Sequence, residues 1–422
     1  MNTVAAPSSS TGTGTGTGTE ALTTETPDYP MARAAGCPFD PPPALRELHD
    51  RARISRVRLW DGSTPWLVTG YEDQRSLLAD PRMSADSTRP GYPQQSPGIK
   101  ARRATSSSFI SMDDPEHARQ RRMVTAAFSI RRVEALRPAI QRIVDSLLDT
   151  MLAGPKPADL VQAFALPVPS LVICELLGVP YTDHEFFQSH SRVLINRHST
   201  PEESMQATAE LVDYLDQLLG EKLAHPADDL LSALTERINA GELTQRQAAN
   251  MSMLLLVAGH ETTANMIALG TLALLEHPDQ LARVRESEDP KLIASAVEEL
   301  LRYLNIVHSG RRRVALEDIE VGGTTVRAGE GIVLANDIGN RDPDAFAEPD
   351  RLDVERNPRH HVAFGFGVHQ CLGQPLARVE LQVVYGTLYR RLPELRLAVR
   401  LDEVKFKHDG LVYGVYELPV TW

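Results

Sequence analysis

Phe364-Gly-Phe-Gly-Val-His-Gln-Cys371-Leu-Gly373 concentrates more chemistry than any other stretch of the chain. An amphipathic helical run follows it, which puts Cys371 at or just before a helix N-terminus. Free backbone N–H groups and the helix dipole favour a thiolate there. Gly365, Gly367 and Gly373 let the backbone turn tightly and approach something flat. A soft buried anion with glycine clearance suits a metal held in a planar cofactor. A lone loop cysteine is ordinarily a small hydrophobe, but the glycines, His369 two residues upstream and the helix downstream argue for a ligand. A second group is Gly259-His-Glu-Thr-Thr263, which interrupts the apolar run Met253–Ala258. On a helix Ala258 and Thr262 share one face, Glu261 lies about 100° around, and His260 about 200° from Thr262 faces away. A hydroxyl and a carboxyl thus come close together, while His260 is left to packing or a surface contact. The competing reading for Thr262 is the back-bond that a helical threonine makes to its i−4 carbonyl.

These residues need long helices to hold them. Apolar residues at three- and four-residue spacing predict helices over Ser129–Leu152, Pro201–His225, Leu243–Glu276, Lys291–Leu304 and Gln374–Leu392, with Pro or Gly near their ends. The helix from about Thr244 to Glu276 would run roughly 50 Å and stop at His277-Pro278. Strand signals are short: a hairpin over Val57–Thr69 turning at Asp61-Gly62, and alternating segments at Asp318–Val333 and Lys405–Thr421. A mainly α protein with small β-sheets follows.

The 422 residues carry 44 Lys plus Arg against 56 Asp plus Glu, a net charge of −12 that argues against non-specific nucleic-acid binding. Three cysteines, Cys37, Cys174 and Cys371, without a CxxC pair make a disulfide framework or zinc module unexpected and point to a reducing cytoplasm. Val161–Pro180 is too interrupted by prolines to span a membrane. The N-terminus lacks the charged and apolar regions of a signal peptide, and Thr11–Thr19 alternates Thr and Gly. Residues 1–36 are therefore expected to form a disordered tail, followed by one domain over 37–422.

Phe364, Gly367, Cys371 and Gly373 together resemble the haem-binding signature of the cytochrome P-450 superfamily. Separate regions extend the resemblance from about Cys37 to Trp422. Glu299-Leu-Leu-Arg302 is similar to its ExxR pair, Ala258–Thr263 to its oxygen-activating helix, and Asn340-Arg-Asp-Pro343 with Pro349-Asp-Arg351 to its meander. The style is that of bacterial, ferredoxin-fed members that oxidise antibiotics and xenobiotics. The resemblance implies the triangular-prism fold of that family, with haem b between the long helix and the helix after the cysteine loop.

It further implies Cys371 as iron ligand, Phe364, Gly365, Gly367, Gly373 and Ala258 around the haem, and Thr262 and Glu261 as the groups that bind dioxygen and relay protons. His117, Arg121, His369 and Arg313 would hold the propionates; the register of Arg311 and Arg312 stays open. Glu299 and Arg302 would pair with Arg351 in a structural role. Substrate contacts would fall on the loop from Met83 to Phe109, on Phe186–Leu194, and on Leu254, Val257, Ile306, Val307, Val412 and Tyr413, shaping a site for a lipophilic guest. The expected reaction is insertion of one atom of O2 into a C–H bond. The electrons would come from a ferredoxin and ferredoxin reductase that dock on the arginine-rich stretch Ala118–Arg142, where seven arginines meet one acid, Glu134. The rivals are a haem-thiolate peroxygenase and a non-catalytic sensor or carrier; Glu261-Thr262 argues against both, since neither needs a proton relay for dioxygen.

Overall fold

The computed structural model describes residues 26–34, 36–106 and 108–422, so most of the expected tail lies outside the described residues. Its last part does not behave as a tail. Tyr29 is buried against Leu45, Leu67 and Val333, and Asp28 bridges to Arg58, so the packed chain begins ahead of residue 37.

Helices dominate and the five expected from periodicity form within two residues of their predicted ends: Ile130–Ala153, Pro201–Ala224, Gln245–Glu276, Pro290–Leu304 and Gln374–Arg391. The long helix Gln245–Glu276 starts in a capping box, the Thr244 side chain accepting from the Gln247 amide and the Gln247 side chain from the Thr244 amide. It ends where Pro278 opens the next helix. It runs unbroken through Gly259–Thr263. From Thr263 to Leu274 every residue is buried, enclosed by helices Pro167–Leu177, Pro201–Ala224 and Gln374–Arg391. Gly259 has a packing reason, since a Cβ there would sit 2.7 Å from Ile173 Cγ1.

The largest sheet has five short strands in the order Ile54–Arg56, Trp66–Val68, Gly331–Leu334, Arg311–Ala315 and Met83–Ser84; only the pairing of Trp66–Val68 with Gly331–Leu334 is parallel. The expected hairpin is present with its first strand a few residues earlier, at Ile54–Arg56. Lys405–Thr421 departs from its alternating pattern. Only Pro419–Thr421 joins a sheet; the rest is a loop that folds back on itself through one antiparallel bridge, Phe406 to Val415, and whose Leu411 and Tyr413 amides donate to the Ile195 and Ile306 carbonyls. No helix among the described residues is long and apolar enough to cross a membrane.

Glu299 and Arg302, both 0 % exposed, form a two-pronged ion pair with both contacts at 2.7 Å. Arg302 also donates to the Asn340 and Pro349 carbonyls at 2.9 and 2.7 Å, so the helix is tied to the loop that leads into the cysteine segment. The third member is not Arg351. Its guanidinium is 58 % exposed and pairs with Asp353, and only its carbonyl reaches Arg302. Arg356 takes that place, donating Nε to Glu299 Oε1 at 3.1 Å, because the intervening turn carries Arg351 outward and Arg356 back in.

Candidate functional site

The cysteine loop is built from turns that need glycine. Gly365 and Gly367 have φ of +74° and +72°, and a Cβ on Gly367 would lie 2.4 Å from the Leu78 carbonyl oxygen. The loop closes through the Cys371 amide, which donates to the Phe364 carbonyl at 2.9 Å. Gly373 has an ordinary backbone and open space where a Cβ would be, so nothing in the chain itself demands glycine there. Its Cα borders the cavity into which Cys371 projects.

Cys371 is solvent-accessible by area, yet it sits deep among protein atoms, so its sulfur faces the interior cavity rather than bulk water. Burial pushes its thiol pKa up, opposed by the charges of Arg311 and Arg121 and by the Gly373 amide. Desolvation is the largest influence on the sulfur, and the Gly373 amide at the helix start acts with the two guanidinium charges in the direction that favours the thiolate.

Opposite Cys371 the cavity is bounded by Leu254, Ala258, Gly259 and Thr262 of the long helix; Phe364, His369 and Arg121 complete the cysteine side. The cavity encloses about 1360 Å³ of space, some of it continuous with solvent. Thr262 Oγ1 donates to the Ala258 carbonyl at 2.8 Å, the back-bond weighed above, and this leaves its lone pairs toward the cavity. Glu261 does not line the cavity. It is 3 % exposed on the far side of the helix, each of its oxygens 4.0 Å from a cation or imidazole, Lys407 Nζ and His260 Nε2. One helical step separates the two groups, and that rotation is enough to put them on different surfaces. His260 is fully buried against Phe187, its Nδ1 bonded to the Leu256 carbonyl.

Of the expected propionate holders, His369 and Arg121 line the cavity; Arg121 Nη2 donates to the Gln370 carbonyl at 2.6 Å. His117 stands one layer behind, its ring 4.0 Å from that of His369; Asp114 holds Nδ1, and Nε2 is buried without a partner. The charge of the expected Arg313 acts on the cavity residue His369, and of the three consecutive arginines the one in the lining is Arg311. It lines the cavity with a buried, unpartnered Nε and donates Nη2 to the Ala363 carbonyl, whereas Arg313 is buried off the cavity and donates to the Arg312 carbonyl. Among the expected substrate contacts Leu254, Ile306 and Val307 line the cavity; Val257, Val412 and Tyr413 do not. Val257 is rotated away on the helix. Tyr413 is 1 % exposed between His308 and Phe406, because its loop turns beneath Ile306 instead of running as a strand.

Sequence reasoning missed Phe128, Ile173, Leu301 and Asn305 in the lining, and above all Glu380. Glu380 is 1 % exposed, Oε2 has no partner among the described residues, and burial alone pushes its pKa well above the usual carboxylate range. Its signal was present: an acid on the apolar helix face made by Leu376, Val379 and Val383.

A cytochrome P-450 family model matches residues 180–393. The chain is 58 % identical over 400 residues to cytochrome P-450 GfsF of Streptomyces halstedii, covering 94 % of this chain and 97 % of that one. The crystal structure of GfsF superposes with a TM-score of 0.88, covering 94 % and 100 % of the two chains. Pentalenic acid synthase of Streptomyces avermitilis is 52 % identical over 387 residues, covering 92 % and 95 %. The structure of mycinamicin VIII C21 methyl hydroxylase from Micromonospora griseorubida, bound to mycinamicin VIII, is 44 % identical with a TM-score of 0.88, covering 94 % and 100 %.

The chain belongs to the cytochrome P-450 family. It is a monooxygenase of lipophilic small molecules that uses thiolate-ligated haem b and O2 and is served by redox partners. The residues present fit that cofactor: one accessible sulfur faces an apolar cavity, and the unpartnered Arg311 Nε and His117 Nε2 lie at or one layer behind its rim, where two acidic side groups need donors.

Proposed function

We propose that Cys371 ligates the haem iron in this chain, that Arg121, His369 and Arg311 hold the propionates, and that Thr262 governs oxygen chemistry on the opposite wall. The carrying observation is that Cys371 and Thr262 face each other across one cavity whose lining is otherwise almost wholly apolar. The haem, once bound, supplies the redox chemistry for oxygen insertion. Thr262 accepts and donates a hydrogen bond at Oγ1, releasing its contact with the Ala258 carbonyl when a cavity partner replaces it. Glu261, buried one helical step away with its carboxylate oxygens 4.0 Å from Lys407 Nζ and His260 Nε2, is the acid that passes a proton toward Thr262 in this reading. The hydrogen bond between His117 Nδ1 and Asp114 fixes the imidazole, whose ring backs that of His369 at 4.0 Å.

Leu254, Ile306, Val307, Phe109 and Ile173 give the guest an apolar bed, and Asn305 is a polar contact for orienting it. Such a lining suits a lipophilic secondary metabolite such as a terpenoid or macrolide, and the names of two relatives carry pentalenic acid and mycinamicin VIII. A ferredoxin serves as the electron donor in this reading, and the reductase acts on the ferredoxin. Replacing Thr262 by Ala should divert electrons to hydrogen peroxide and lower product per electron about tenfold. Product formed per NAD(P)H oxidised in a reconstituted system measures this. Unchanged coupling would remove Thr262 from the role, and turnover with hydrogen peroxide alone at the full rate would favour a peroxygenase.

A further inference from the structure

Behind strand Arg311–Ala315, outside the haem cavity, lies a second set of buried charges. Side chains alternate along a strand, so with Arg311 turned to the cavity, Arg312 points to the opposite face. There it is 4 % exposed, and its Nε and Nη1 have no hydrogen-bond partner among the described residues. Arg33, on the N-terminal segment, stacks 4.3 Å over the Tyr413 ring and donates Nη1 to the Asp40 carbonyl, leaving Nε and Nη2 buried and unpartnered. Arg197 precedes helix Pro201–Ala224 and donates Nη2 to the His408 carbonyl, while its Nε is likewise unpartnered.

The three guanidinium groups share one neighbourhood: the Tyr413 ring beneath Arg33 lies 5.7 Å from that of His408, whose carbonyl Arg197 holds, and the Tyr29 hydroxyl borders Gly310, two residues before Arg312. All act electrostatically on the Tyr29 hydroxyl, which is itself unpartnered and stands 3.0 Å from where a Cβ on Gly310 would be. Burial first, then Arg33 and, more weakly, Arg197, hold His308 down at about 3, so this histidine is neutral and adds no charge. Its Nε2 is engaged with the Gly410 carbonyl at 2.9 Å. The acids within reach, Asp409 and Asp337, offset at most two of the three arginine charges and form no ion pair with any of them among the described residues. Asp409 spends its oxygens on the Tyr416 hydroxyl and the Asn196 amide. Asp337 is pushed up to about 6 by burial, and its Oδ2 bonds to nothing among the described residues. Buried guanidinium N–H groups without acceptors are strongly unfavourable, and their planar fork matches an oxyanion.

We propose that Arg33, Arg197, Arg312 and the Tyr29 hydroxyl form an oxyanion-binding site, separate from the haem cavity, that takes a carboxylate or a phosphate-type group. The bound anion ties together the N-terminal segment, the turn at Arg197, the strand and the C-terminal loop. That loop supports the cavity wall, since the Tyr413 amide donates to the carbonyl of Ile306, a lining residue. Occupancy therefore stiffens one side of the substrate site from behind.

The test uses the purified holoenzyme, with calorimetric titration and melting curves in inorganic phosphate and in acetate, each against sodium chloride at equal ionic strength. Saturable binding and stabilisation by phosphate or acetate beyond chloride are expected; the stronger of the two assigns the tetrahedral or the planar class. Arg312→Gln should weaken that binding about tenfold or more. Arg33→Gln, at a half-buried position that tolerates change, should weaken it too, with the carbon monoxide spectrum of the haem unaltered. Responses to phosphate and acetate no greater than to chloride, or equal affinities in wild type and Arg33→Gln, would overturn the proposal. Because the readout is anion binding, a failure of the haem assignment would appear separately, as loss of the carbon monoxide band.

Discussion

Burial without a partner keeps the Glu380 carboxyl protonated in the folded chain, while in the unfolded chain it ionises in the ordinary carboxylate range. The native state then binds more protons than the unfolded state as pH rises above that range, so this residue costs stability progressively from about pH 5 upward, by up to ~1.4 kcal/mol per pH unit. Glu380→Gln removes the ionisable group and keeps the shape. Its melting temperature should exceed that of the wild type at about pH 8 and approach it near pH 5; a gap that does not change with pH would contradict the account. Residues of this kind set the boundary of what the sequence discloses. Cys371, Phe364 and Thr262 could be read from spacing because loop and helix geometry fix them locally. Glu380 and Arg311 could not, since what they face depends on how distant elements pack. The sequence put Glu261 about 100° around the helix from Thr262, but a helical wheel gives that angle and not the surface on each side, so its burial away from the cavity came only with the packed fold.

Helices were the most legible elements. Long amphipathic runs bounded by Pro or Gly carry their own periodicity, so the five long helices closed on their predicted ends. The C-terminal alternation over Lys405–Thr421 misled, because the segment folds back on itself with one antiparallel bridge, Phe406 to Val415, and only Pro419–Thr421 pairs in a sheet. The Glu299–Arg302 pair was legible as structural, but its third partner was not: Arg351 and Arg356 lie on one turn, and only the packed loop decides which turns inward. Removing one member leaves the other charged and dry. Glu299→Ala should therefore destabilise by about 3–5 kcal/mol and release the loop before Cys371, whereas Arg351→Ala, at an exposed pair, should cost less than about 1 kcal/mol. Denaturant titration of both variants distinguishes Arg356 from Arg351 as the buried partner, and equal losses would refute the assignment.

At the scale of the whole molecule, a chain of net charge −12 concentrates arginine on the side bearing the cysteine loop. Arg119, Arg132 and Arg137 are engaged by Glu116, Asp228 and Glu134, while Arg122, Arg131 and Arg142 are exposed. Beside this charge Ile130 and Val368, of which Val368 belongs to the cysteine loop, are 73 % and 58 % exposed. Exposed Arg131 follows exposed Ile130 in the chain, and Arg121 ties this arginine-rich stretch to the cysteine loop through the Gln370 carbonyl, a cationic face that suits an acidic electron donor. Arg122→Glu with Arg131→Glu should slow reduction by such a ferredoxin about tenfold or more at low salt, with the difference shrinking as ionic strength rises and substrate binding unchanged. Stopped-flow reduction rates that do not depend on these charges would place the docking face elsewhere. All of it depends on which atom holds the iron, and the carbon monoxide difference spectrum of the dithionite-reduced protein addresses that directly. The account predicts the red-shifted band of thiolate-bound haem in the wild type and its loss in Cys371→Ala; a histidine-type band in the wild type, or a thiolate band that survives in Cys371→Ala, would contradict it.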